Sequence, residues 1–248
     1  MTKLQAMTEG GARLGWIKGQ LVKAVKVGAT PMDIELLCDR LIREGGDKAS
    51  FKMEPGYHFA TCINVNDGMV HGIPNKIPFK PGDVVKVDLG LFHHGYHVDT
   101  AVTVPLPPTS KKVLDFLETG RKAEKAAISL ALPGNTVYDI GQAMQQVVEG
   151  DGYSVIRDLT GHGIGRQMHM DPYIFCYAEK QAKKDILSVD QTIAIETMYT
   201  MGDWHLVEDP DGWTLSTQDK SLTGYFEETV YITQNGPIVL TAIRSEQD

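Results

Sequence analysis

The chain has 248 residues, 42% of them apolar and 23% charged, which suits a packed globular core and argues against disorder. A net charge of -8 with no Lys/Arg-rich run repels phosphate backbones and argues against direct binding of nucleic acid. Cys38, Cys62 and Cys176 are scattered without a C-x-x-C, the N-terminal MTKLQAMTEGG lacks an apolar h-region, and no apolar stretch reaches membrane-spanning length. A cytoplasmic protein without a membrane partner is expected.

From residue 4 to 25, Leu4, Met7, Leu14, Ile17, Leu21 and Val25 recur at helical spacing, and Gly28 follows as a stop. Thr30-Pro31-Met32-Asp33 then opens a second helix: Thr30 caps it, Pro31 suits its first turn and Asp33 reaches back to the cap. That helix runs to about Glu44. The stretch Val84–Leu89 and the stretch His97–Val104 are β-rich and flank a turn containing Gly95. The same order then recurs. A long helix from Ser110 to Leu132 ends at Pro133-Gly134, Thr136-Val137-Tyr138-Asp139 opens another, and Gly150 lies near its end. Strand-like Thr192–Glu196 and Phe226–Thr233 follow. Gly28/Gly134, Thr30/Thr136, Asp33/Asp139, Ile34/Ile140 and Gly46/Gly152 match at one constant offset, which points to an internal duplication. The expectation is one domain over 1–248, with pseudo-symmetric halves of about 1–109 and 110–248. Its fold class is α+β, with helices covering an antiparallel sheet and a cleft on the sheet's other face.

Several carboxylates sit where such a sheet should reject them. Asp88 and Asp99 are equidistant from a turn centred between His93 and His94. Regular pairing then sets them opposite each other on one face, with Cβ atoms roughly 5 Å apart, and like charges so placed need a cation between them. Glu196 ends the apolar run Ile193-Ala194-Ile195, and the duplication maps Asp88 onto it; Glu227 begins the last strand pair as Asp99 completes the first. With His162, these four acids offer donors for two divalent ions, and the oxygen-rich set suits Mn, Fe, Co or Zn in catalysis.

Glycines surround His162 in Gly161-His162-Gly163-Ile164-Gly165 and allow close approach of a bound group, but they lack the Lys-Ser/Thr of a phosphate loop. His71, in Val70-His71-Gly72-Ile73-Pro74, and His169 fit proton donors to a polarised substrate oxygen. His93, His94 and His97 are read as solvent-facing turn residues. Taken alone, Tyr57 and Trp213 read as core aromatics, and Cys62 and Met168 as apolar fill.

These ligand candidates and motifs, with Val87-Asp88-Leu89-Gly90, Val98-Asp99-Thr100, Ile195-Glu196 and Asp211-Gly212-Trp213-Thr214, resemble the type I methionine aminopeptidases from about Met7 to Thr241. The resemblance implies the duplicated pita-bread fold and removal of N-terminal methionine from peptides and nascent proteins, with the ribosome as a candidate partner and a monomer expected. It also implies that Asp99 and Glu227 bridge two metal ions, that Asp88 completes one site, and that His162 and Glu196 complete the other. His71 and His169 match substrate-contacting histidines, Glu196 a proton shuttle, and Tyr57, Cys62 and Trp213 the walls of a methionine pocket. Met168, expected in that pocket with them, stands where relatives often carry an aromatic residue. Thr197 replaces a proline, and Glu54 and Pro55 replace an aromatic and a histidine. The alternatives are an aminopeptidase of different first-residue preference and a non-catalytic binding protein of the same fold.

Overall fold

The computed structural model describes residues 1–244. Helix α1 (Lys3–Ala24) is capped by Thr2, with Gln5 completing the capping box, and α2 (Pro31–Glu44) begins at Thr30. Asp33 accepts from the Thr30 amide at 2.8 Å while its own amide donates to the Thr30 hydroxyl at 3.1 Å. The duplicated signal behaves alike: α3 (Lys111–Ser129) is followed by α4 (Val137–Gly150), where Asp139 accepts from the Thr136 amide at 2.7 Å. A cap of this kind contributes about 1 kcal/mol and fixes where each helix begins.

Between the helix pairs lie β1 (Lys48–Ala49), β2 (Thr61–Val65), β3 (Gly68–Val70) and the long hairpin β4 (Val84–His93) and β5 (Tyr96–Pro105). After α4 come β6 (Ser154–Val155), β7 (Thr160–Gly163), β8 (Met170–Phe175), β9 (Thr192–Thr200), β10 (Leu206–Glu208), β11 (Leu215–Thr217), β12 (Thr223–Thr233) and β13 (Gly236–Val239). The main sheet runs β1-β4-β5-β12-β9-β7-β8, with β2 added to β4, β6 to β9 and β13 to β12; β10, β11 and β3 form a second, small sheet.

At the centre, β4-β5 and β9-β12 meet along the β5/β12 seam, so β4 answers to β9 and β5 to β12. Helix α1 packs on β4 and β5, and α3 on β9 and β12. Lys18 of α1 donates to Thr100 at 2.8 Å and to Glu228 at 2.7 Å. These are the chain neighbours of Asp99 and Glu227. Since side chains alternate along a strand, the helices cover one face and Asp99 and Glu227 project from the other. Threonine hydroxyls stitch the seam: Thr100 donates to the Glu227 carbonyl at 2.7 Å, and Thr229 bonds both the amide and the carbonyl of Asp99.

Two expectations shift here. The hairpin turns at His94-Gly95, with φ of 46° and 88°, the pair of positive values that a two-residue type I′ turn requires. Asp88 therefore faces Ala101, and Asp99 faces Gly90. The two aspartates share a face but are diagonal neighbours instead of directly opposed. Only His94 of the turn histidines is exposed. His93 is buried with its Nδ1 2.7 Å from Asp47, and His97 is buried with its Nδ1 2.9 Å from Ser50. Among the described residues no helix is long and apolar enough to cross a membrane.

Candidate metal centre

Two neighbouring rungs of the sheet assemble the site. Along the first, Cys62 pairs with Asp88, Asp88 with Ala101, Ala101 with Glu227, and Glu227 with Glu196. Two residues further along β5, Asp99 projects from the same face, and His162 of β7 faces Ala194, two residues from Glu196 on β9. Small Ala101 and Ala194 thus separate the acidic and imidazole groups and leave room between them. Glu196 and Glu227 lie inside long strands, not at the strand ends where the sequence pattern set them.

Glycine on both sides of His162 serves the strand packing. A Cβ on Gly161 would sit 2.4 Å from the Ala194 carbonyl oxygen, and one on Gly163 2.2 Å from that of Asp171. The close approach is thus of neighbouring backbone rather than of a bound group. The His162 Nδ1 donates to the Gly163 carbonyl at 2.9 Å, so the Nε2 lone pair points inward. That Nε2 lies 3.6 Å from Glu196 and 3.9 Å from Asp99. Donor atoms of Asp99, His162 and Glu227 all lie within 4.8 Å of one another.

All four acids are buried, and Glu227 is 0% exposed. Burial, and then mutual repulsion, lift the carboxyls of Asp88, Asp99 and Glu227 well above the usual carboxylate range. Burial pushes Glu196 up to about 8, opposed by the Tyr225 hydroxyl. Burial, with His169 nearby, pulls His162 down to about 4. Asp88 Oδ1 and Glu227 Oε1 are buried without a hydrogen-bond partner among the described residues. Buried, unpartnered carboxylate oxygens facing an imidazole lone pair fit divalent metal ions, which would hold every one of these groups in its charged or lone-pair form.

A cavity of about 430 Å³ opens over the rungs and is lined by Asp88, Asp99, His162 and Glu196, with Glu227 beneath. His71 and His169 stand on its wall. The His169 ring meets that of His162 edge-on, with centroids 4.5 Å apart. His71 carries a φ of 59°, a left-handed conformation that is costly for a non-glycine residue and aims its ring from the end of β3. Its surroundings and His169 lower its pKa, which favours the neutral ring. Tyr57, Cys62 and Trp213 also line the cavity, and Tyr57 meets Trp213 edge-on at 5.1 Å between centroids. Met168 does not line it. It is 3% exposed within the core cluster that includes Ile164 and Leu91. Phe51, Met198 and Tyr225 line the cavity without having been singled out from sequence. For Tyr225 a signal existed, because it lies two residues before Glu227 and so on the same strand face.

Residues 6–234 match the sequence profile of metallopeptidase family M24. The chain belongs to this family. A methionine aminopeptidase of Aquifex aeolicus (strain VF5) is 38% identical over 227 residues, 88% of each chain. The crystal structure of a methionine aminopeptidase from Thermotoga maritima superposes with a TM-score of 0.94 at 36% identity, covering 97% of this chain and 96% of that one. A prolidase from Pyrococcus furiosus, at 22% identity, shares the fold with a TM-score of 0.76 over 98% of this chain and 64% of its own. Family M24 thus accounts for the pita-bread architecture: two helix pairs backing a sheet whose open face bears the acids.

Proposed function

We propose that this M24 peptidase is a methionine aminopeptidase that removes N-terminal methionine from peptides and nascent proteins. The observation that carries the reading is the pair of sheet rungs that sets Asp88, Asp99, Glu196 and His162 in the lining of one cavity, with buried Glu227 paired to Glu196. Likeness to methionine aminopeptidases over most of the chain supplies the reaction class.

In this reading Asp88, Asp99, His162, Glu196 and Glu227 would together hold two divalent ions (Mn, Co, Fe or Zn), with Asp99 and Glu227 serving both sites, Asp88 one of them, and His162 with Glu196 the other. When bound, such ions lower the pKa of water into the neutral range and polarise a peptide carbonyl. Glu196, held as a carboxylate beside the ions, is placed to take a proton from the attacking water and pass it to the departing amine. His71 and His169 donate to the scissile carbonyl oxygen as it gains negative charge. Tyr57, Cys62 and Trp213 offer apolar surface to the unbranched thioether of methionine. Charged first residues are disfavoured, because enclosing a charge against Tyr57, Cys62 and Trp213 strips its hydration. The work is assigned to a monomer in the cytoplasm, acting on nascent chains near the ribosome.

A panel of Met-Ala-Ser, Leu-Ala-Ser and Lys-Ala-Ser, assayed with Mn, Co, Fe and Zn in turn, tests this. Cleavage of the Met peptide well above the Leu peptide, with the Lys peptide intact, is expected. One methylene more or less in an apolar slot is worth only about 1–3 kcal/mol, so the Met-to-Leu ratio is finite. Equal rates on Met and Leu peptides would replace the reading with that of a broader aminopeptidase.

A further inference from the structure

The residue with the most direct hold on the acid cluster is one that no ligand or substrate role has absorbed. Tyr225 lies on β12 two residues before Glu227, so the two side chains leave the strand on the same face. Across the pairing with β9, Tyr225 faces Met198 and Glu227 faces Glu196, which makes Tyr225 and Glu196 diagonal neighbours. A diagonal separation of about 7–8 Å is too long for short side chains and within reach of an aromatic one. The phenol spans it. Its hydroxyl lies 2.8 Å from Glu196 Oε2 and 2.9 Å from Glu227 Oε2, and the residue is 3% exposed.

The choice of oxygens is selective. On each glutamate the hydroxyl takes Oε2 and leaves Oε1. Glu196 Oε1 is the atom 3.6 Å from His162 Nε2, and Glu227 Oε1 is the buried atom without a partner among the described residues. A phenol has one hydrogen, so it can donate to only one carboxylate at a time. The other then keeps an uncompensated oxygen, which raises the demand for a cation on the far side of both groups. Its backbone is held by the neighbouring strand β5: the Tyr225 amide donates to the Thr103 hydroxyl at 2.9 Å, and that hydroxyl donates to the Tyr225 carbonyl at 2.6 Å.

We infer that Tyr225 is a positioning residue of the metal centre, whose hydroxyl fixes the side chains of Glu196 and Glu227 and presents their free oxygens to the metal. The inference rests on the reading of those glutamates as ligands. Groups that orient metal ligands typically carry about 10–100-fold in metal affinity.

The test is Tyr225→Phe, which removes one oxygen and keeps the ring. Wild type and variant are stripped with chelator, checked for fold by circular dichroism, and titrated with Co(II) by calorimetry and visible absorption. The variant should bind at least about 10-fold more weakly, with an altered ligand-field spectrum. Replacing Tyr225 by 4-aminophenylalanine, which puts N–H donors where the hydroxyl stood, should restore affinity and spectrum; 4-fluorophenylalanine, which fills the hydroxyl's place without a donor, should bind as weakly as Tyr225→Phe and is the test if that variant does not fold. Wild-type affinity and spectrum in Tyr225→Phe would overturn the inference and leave the metal reading intact. Failure of the wild-type protein to bind Co(II) would instead overturn the metal reading itself.

Discussion

Glu35 is a buried acid far in sequence from the cluster, and its removal should unfold one wall of the cavity. It lies on α2 at 3% exposure and accepts from the Ala60 amide at 2.8 and 3.0 Å, the Thr61 amide at 2.9 Å and the Thr61 hydroxyl at 2.7 Å. Ala60 and Thr61 are both 0% exposed, so water cannot take over these bonds. Glu35→Ala strands two buried peptide N–H groups and one hydroxyl, at about 1–3 kcal/mol for each group left unpaired. The hydroxyl can rotate to another acceptor, so the two amides set the scale, roughly 4 kcal/mol in all. In a chain of this size each kcal/mol moves the melting temperature by about 2–4 °C, so a fall of roughly 8–16 °C is expected. Glu35→Gln keeps an acceptor for Thr61 and forfeits at most the bond to Ala60, a cost of about 1 kcal/mol. Thermal unfolding followed by circular dichroism, with metal content matched, measures both variants. The same segment begins β2 and carries Cys62 opposite Asp88, so KM for Met-Ala-Ser should rise in Glu35→Ala before kcat falls. Equal melting temperatures for the Ala and Gln variants would refute the reasoning, since they differ in the donors they strand.

Metal removal should reverse the usual acid sensitivity. In the metal-free protein Glu196 is raised from 4.5 to about 8, and Asp88, Asp99 and Glu227 are raised too, so the folded state holds protons that the unfolded chain releases. Such groups contribute stability that is full below their unfolded pKa and lost as pH rises through the folded one. Chelated protein should therefore lose melting temperature between about pH 5 and pH 8 relative to metal-loaded protein, and parallel pH curves for the two forms would contradict this. His71→Ala should cut kcat/KM by about 10²-fold or more at unchanged metal content, the scale of a lost proton or oxyanion donor. Metal lost along with activity would move His71 into the ligand set.

The sequence by itself determined what is decided within a few residues of chain. Thr30 with Asp33 and Thr136 with Asp139 fix helix starts because each cap is closed by residues three apart, and the repeated cap exposes the duplication. The ligand candidates were legible for a related reason: a carboxylate within an apolar strand lacks a local partner, so Asp88, Asp99, Glu196 and Glu227 stand out wherever they later meet. Tertiary structure decided the meetings. A turn one residue further along, at His94-Gly95, changes the pairing of Asp88 and Asp99 from direct to diagonal, because register follows the turn. His93 and His97 look like solvent-facing turn residues until Asp47 and Ser50, more than forty positions earlier, bury them. Met168 is interchangeable with a pocket residue in sequence, and only packing sends it into the core cluster that also holds Ile164. Tyr225 shows in the chain only its spacing of two from Glu227, and Glu35 carries no mark of its own. Their roles come from strand pairing and helix docking, interactions between segments whose separation along the chain leaves no local periodicity to read.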